Sequence, residues 1–131
     1  MNQAYLWDSN IAIYYLQHQL PTYAGKVLDD IAENSRICLS IITEIELFSW
    51  KAATPFDFDL VNLFVGISLL FELEKDIRDK AAELRRKHNL ELPDAIIAAT
   101  AVVHRLTLIT NNTTDFTRIE NLLLLNPFDP Q

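Results

Sequence analysis

The chain has 131 residues, half of them hydrophobic, which fits one globular domain able to bury its core without a metal or disulfide staple. A formal net charge of −7 argues against a protein that grips nucleic acid through a generally basic surface, but leaves room for a metal bridging to phosphate. Two glycines and no G-x-G-x-x-G or Walker-type motif argue against dinucleotide and P-loop chemistry.

The lone cysteine, Cys38, excludes an intrachain disulfide and lies in an apolar run, where a buried inert thiol is expected. The N-terminus lacks the basic region and apolar stretch of a signal peptide. No apolar segment nears the ~20 residues of a membrane span, so no membrane association and a cytosolic location are expected.

Residues 4–7 form a short, bulky apolar run that predicts a buried strand, and Asp8-Ser9-Asn10 ends it with good helix-capping residues. Helical density follows over 11–16. Thr22 is placed to cap a helix through Asn34, with Ala24, Val27, Leu28 and Ile31 at helical spacing. Residues 37–41 predict a second strand and 43–50 a helix with Ile42, Ile45 and Phe48 inward. Pro55 opens another helix whose apolar set is Phe56, Leu60, Leu63, Phe64 and Ile67, with Gly66 expected to end it.

Residues 69–71 predict a third strand. Residues 76–87 predict a charged helix with Ile77, Ala81 and Leu84 inside. Acids gather near its start (Glu72, Glu74, Asp76), and Arg85, Arg86 and Lys87 at its end complement the helix dipole. In the next segment, 92–103, every residue from Ala95 to Val103 except Thr100 is apolar, so this helix belongs in the core. Pro93 suits its first turn, which puts Asp94 at its N-terminal mouth. Residues 106–110 predict a strand and 122–125 a last one. Short apolar strands alternating with helices indicate an α/β domain, with a central, mainly parallel sheet of four or five strands flanked by helices.

Ligands of such sheets bind beyond the carboxyl ends of the strands. Asp8 directly follows the first strand. Glu46 lies in the early turns after the second, with Glu44 an equally spaced alternative. Asp94 heads the buried helix, and Asp115 follows the 107–110 strand through Asn111-Asn112-Thr113-Thr114. Singly, each acid is as well explained by capping or solvation. Together, carboxylates without matching bases fit a hard divalent cation, Mg²⁺ or Mn²⁺. His18, His88 and His104 are scattered, and no zinc-type Cys/His spacing competes.

Four stretches carry a resemblance to a known family. They are Leu6-Trp7-Asp8-Ser9-Asn10, the run Ser40-Ile41-Ile42-Thr43-Glu44-Ile45-Glu46-Leu47, the run from Leu92-Pro93-Asp94 to Ala101, and Leu108-Ile109-Thr110-Asn111-Asn112-Thr113-Thr114-Asp115-Phe116. In this order and spacing the whole chain resembles a PIN domain, most closely the VapC-type toxins of bacterial toxin–antitoxin pairs. The resemblance implies a metal-dependent endoribonuclease with Asp8, Glu46 and Asp94 as its acidic triad, selecting Glu46 over Glu44. A fourth acidic position falls on Asn112 or Asp115. Asn10, Thr43, Thr110 and Asn112 are expected to orient the carboxylates. The resemblance also implies an RNA substrate, a cognate antitoxin and a homodimer. Contact of the Arg85-Arg86-Lys87 group with RNA is the lesser expectation beside its dipole role.

Two other readings compete. A phospho-acceptor receiver domain would carry paired acids after its first strand and a lysine after a late one. Here Ser9 follows Asp8 and Asn111 follows Thr110. A binding module that kept the fold without catalysis is the second, against which the intact Asp8, Glu46 and Asp94 set argues.

Overall fold

Strands of three or four residues cannot stand alone in water, and these are apolar on both faces, so they require helices above and below. A computed structural model of the chain describes residues 4–129. Among these residues the chain order is β1 (Tyr5–Trp7), α1 (Ser9–Leu16), α2 (Thr22–Asn34), β2 (Ile37–Ser40), α3 (Ile41–Phe48), α4 (Pro55–Ile67), β3 (Leu69–Phe71), α5 (Lys75–Lys87), α6 (Leu92–His104), β4 (Thr107–Ile109), α7 (Thr113–Phe116) and β5 (Leu123–Leu125). The strands form one parallel sheet in the order β3-β2-β1-β4-β5. The chain winds outward from β1 through β2 to β3, then returns to the other side of β1 with β4. The switch point therefore lies between β1 and β4, where a crevice opens at the strand ends.

Period-two alternation splits the core into two layers. Leu6, Cys38 and Leu108 are register partners on one face and pack with Ile77, Ala81 and Leu84 of α5 and the body of α6. Trp7, Ile37, Leu39 and Ile109 face the other way, against Ile11, Leu28, Leu47, Val61 and Phe64. Trp7 anchors this layer by edge-on contacts with Tyr15 and Phe64, ring centroids 5.2 and 5.4 Å away. Cys38 is a buried free thiol. His104 lies against the ring of Phe71 at 4.4 Å. Among the described residues no helix is long and apolar enough to cross a membrane.

The elements predicted from the sequence are present, but several details differ. The second strand ends at Ser40, whose hydroxyl accepts from the Ile42 amide and starts α3 two residues early. The inner face of α3 is then Thr43 and Leu47, one helical turn apart, and not Ile42, Ile45 and Phe48. Ile45 and Phe48 are exposed, while Ile42 is half-buried. In α4 only Val61 and Phe64 are buried, whereas Phe56, Leu63 and Ile67 face solvent. Gly66 does not end α4, which runs on through Ile67 to a cap at Ser68. Thr22 is the first helical residue of α2 and makes no cap, because Pro21 occupies the cap position.

Candidate functional site

The acids meet at the carboxyl edge of the sheet, around the switch point. Asp8 leaves β1 in extended conformation and caps α1, its Oδ1 accepting from the Ser9 amide at 2.8 Å. Its other oxygen, Oδ2, accepts from the Thr110 hydroxyl at 2.8 Å, which ties the ends of β1 and β4 together across the crevice. The Asn112 amide in turn donates to Thr110 Oγ1 at 3.0 Å. Capping α1 and tying β1 to β4 are thus the work of one carboxylate with both oxygens fixed.

Glu46 reaches the same edge from α3. Its Oε1 accepts from the Ser9 hydroxyl at 3.0 Å. Ser9, 7% exposed, therefore orients the second acid while its backbone holds the first. From the sequence Ser9 was expected only among the capping residues after the first strand. The signal was present in an Asp-Ser pair directly after a strand. Asp94 stands on the first turn of α6 and accepts no hydrogen bond from any described residue. Asp115 on α7 accepts from Asn112 Nδ2 at 2.9 Å, so the two candidates for the fourth position are joined to one another.

The electrostatics show how these groups crowd. Burial pushes the Asp8 carboxyl above its ordinary value, against its hydrogen bonds from Thr110 and Ser9. Glu46 is also raised, by partial desolvation and by the charge of Asp8, with the Ser9 bond opposing. Asp94 is pushed up to about 6, first by desolvation and then by the charges of Asp8, Asp115, Glu91 and Glu46. Glu91, the cap position of α6, thus joins the acidic field without having been singled out in the sequence. The ion pairs of the described residues, Lys75–Asp79 and Lys80–Glu83, involve none of these acids.

Two positions expected to orient the carboxylates behave otherwise. The Asn10 side chain is exposed and makes no hydrogen bond among the described residues. Thr43 is fully buried, one turn before Glu46, but its hydroxyl has no partner there. Beyond Asp94 the cleft widens into a cavity of about 560 Å³ lined by Arg85, Asn89, Glu91, Asp94, Asn112 and Asp115, with Leu90 at its wall.

The donor set is all hard oxygen, without a thiolate or imidazole, and this fits a hard divalent cation. Of these acids Asp94 and Asp115 line the open cavity, and among the described residues no three Asp, Glu, His or Cys side chains close into a ready-made cage. Such openness suits Mg²⁺ or Mn²⁺, which keep waters and take substrate oxygens alongside one or two carboxylates.

A short parallel sheet thus brings carboxylates from separate segments to one edge, the architecture of a small α/β domain with an acidic site candidate at its strand ends. The chain belongs to the PIN domain family, which it matches over residues 5–122. It is 27% identical over 130 residues to Ribonuclease VapC2 of Rickettsia felis, covering 93% of this chain and 96% of that protein. Among solved structures it is similar to VapBC2 from Rickettsia felis bound to a DNA fragment from their promoter, with TM-score 0.80, 26% identity and coverage of 95% and 98% of the two chains. A toxin–antitoxin complex from Klebsiella pneumoniae aligns with TM-score 0.77 and 30% identity, over 97% and 100% of the two chains.

Proposed function

We propose that this protein is a metal-dependent endoribonuclease, the toxin of a toxin–antitoxin pair. It would act in the bacterial cytoplasm as a homodimer and be neutralised by a cognate antitoxin. The observation that carries the reading is that Asp8, Glu46, Asp94 and Asp115 share one acidic field at the sheet's carboxyl edge, with no ion pair to any of them among the described residues, in a PIN-domain chain similar to a ribonuclease.

Asp8 and Asp94 are the residues that would hold a Mg²⁺ or Mn²⁺ ion, with Glu46 and Asp115 beside them. When bound, the ion would supply Lewis-acid stabilisation of phosphoryl charge and a more acidic water. The chain's own residues provide the positioning. Thr110 fixes one oxygen of Asp8 and the Ser9 amide the other, so this carboxylate cannot turn away from the cleft. Ser9 directs one oxygen of Glu46, leaving the second to orient an attacking water. Asn112 holds Asp115 at the mouth, where it serves the outer sphere. Phosphodiester hydrolysis then consumes one water, which bonds to phosphorus as the leaving ribose oxygen departs and is protonated. The antitoxin partner accords with the apolar residues Phe56, Leu63 and Ile67 that α4 leaves exposed, with the acid Asp59 exposed on the same helix. A segment with apolar anchors and basic flanks matches that surface.

Cleavage of a mixed RNA pool with Mg²⁺ or Mn²⁺, with and without chelator, tests the reading. Cutting should require the ion. Asp94→Asn, folded by circular dichroism, should cut at least about a hundredfold more slowly, since removing even an outer residue of such a site costs 10- to 100-fold. Undiminished cutting by that variant, or by the parent in chelator, would overturn the assignment.

A further inference from the structure

We propose that Arg85 binds a phosphate of the RNA chain, gripping the substrate strand beside the carboxylates; this rests on the nuclease reading above. Arg85, Arg86 and Lys87 all stand in the last turn of α5, where any of them complements the helix dipole. Only Arg85 of the three lines the cavity that also holds Asp94, Asn112 and Asp115. Its Nε–H donates to the Leu90 carbonyl at 3.2 Å, which tethers the side chain across the bend between α5 and α6. That bond uses one guanidinium donor. The two terminal nitrogens make no hydrogen bond or ion pair among the described residues.

The arrangement is unusual for a structural arginine. Three acids share its cavity, Glu91, Asp94 and Asp115, yet it pairs with none of them. A cation kept on the wall of an anionic cleft, with its two-nitrogen fork unused, suits an incoming anion that the carboxylates alone would repel. The guanidinium fork matches two oxygens of a phosphate. Asn89 on the same wall adds an amide able to reach sugar or base edges.

Binding of a labelled single-stranded RNA, followed by fluorescence anisotropy in chelator across a salt series, tests this apart from catalysis. Arg85→Gln should bind roughly tenfold more weakly. The slope of log affinity against log salt should become shallower by about 0.7, the contribution of one phosphate on a single strand. Arg85→Lys should keep the slope and recover only part of the affinity, since an ammonium lacks the fork. Arg86→Gln, which removes the same charge outside the cavity, should change both far less. Mn²⁺ should raise the thermal midpoint of the parent and of Arg85→Gln alike, which separates lost substrate contact from a collapsed site.

Equal losses in Arg85→Gln and Arg86→Gln would reduce the effect to general charge and overturn the proposal. Should Arg85→Gln fail to fold, Arg85→Lys still decides, because parental affinity in that variant rules out the fork. A parent that cuts RNA while Arg85→Gln binds identically sinks only the arginine's role. A parent that neither binds nor cuts RNA sinks the nuclease reading, and this inference with it.

Discussion

Helices α4 and α6 are alike on paper and opposite in use. Each has 13 residues, a proline in its first turn and an acid at the third helical position, Asp57 in α4 and Asp94 in α6. In α4 that acid completes a capping box. Asp57 Oδ2 accepts from the Thr54 amide at 2.8 Å while the Thr54 hydroxyl accepts from the Asp57 amide at 3.1 Å. In α6 the cap residue, Glu91, makes no side-chain cap, and the Asp94 carboxylate accepts no hydrogen bond among the described residues. The helix bodies diverge as well. Every residue of α6 from Ala95 to Ala101 is buried, its alanines letting α5 and the sheet close in, while α4 buries only Val61 and Phe64. An acid at a capping position that does not cap, on a helix anchored along its length, accords with the metal-holding role proposed for Asp94.

The largest expected difference concerns the two helix bodies. Ile97→Ala in α6 should cost about 2–5 kcal/mol, because the cavity left in a packed core collapses only in part. Leu63→Ala in α4, where the side chain is 68% exposed, should stay within about 0.5 kcal/mol. Urea denaturation of both variants measures this. Comparable losses would mean that the α4 stripe is covered in the free protein, and the comparison would fail.

This contrast also marks what the sequence could tell. The element order, the parallel sheet and the inner stripe Ile77, Ala81 and Leu84 were legible, because buried strands are uniformly apolar and α5 has one clean apolar face. The faces of α3 and α4 were not. Both helices are apolar beyond what the core accepts, so periodicity identifies a helix without saying which side is covered. That Asp8, Glu46, Asp94 and Asp115 would lie near one another was legible because strand ends are visible in sequence and the topology gathers them. Ser9 and Glu91 were missed because their parts depend on side-chain direction and on charge felt through space, which spacing does not encode.

The two acids should respond to substitution with opposite signs, and Asp94 should also make stability depend on pH. Asp94 titrates near 6 in the folded chain and near 3.8 when unfolded. Between these values the folded state binds more protons, so this group makes stability rise on acidification and fall as pH climbs through about 6. Because the carboxyl is partly exposed and screened, the effect should be about 1 kcal/mol and not the full shift. In chelator, Asp94→Asn should abolish that component and be as stable as the parent at pH 7, or more so. Asp57→Ala should instead lose about 1 kcal/mol with its capping box. Thermal melts from pH 5 to 7.5 on the three proteins separate the roles. A destabilised Asp94→Asn at pH 7 would make Asp94 a structural acid after all.

The smallest effect lies on the exposed side of α4, at Gly66. Glycine in a helix interior is less stable than alanine by roughly 0.5–1 kcal/mol, and a Cβ built at Gly66 meets nothing within 4 Å. No contact within the chain therefore calls for the glycine, and its φ is not positive. Gly66→Ala should raise stability by about 0.5 kcal/mol, read as a shift in urea midpoint at constant slope. The methyl group would stand next to Ile67 on the face that α4 leaves open. If that face receives the antitoxin, Gly66→Ala should stabilise the free chain and weaken the complex, a pairing of signs that isothermal titration against the antitoxin would reveal. Gains in both would leave Gly66 without a role in the contact and confine the partner surface to the Phe56, Leu63 and Ile67 stripe.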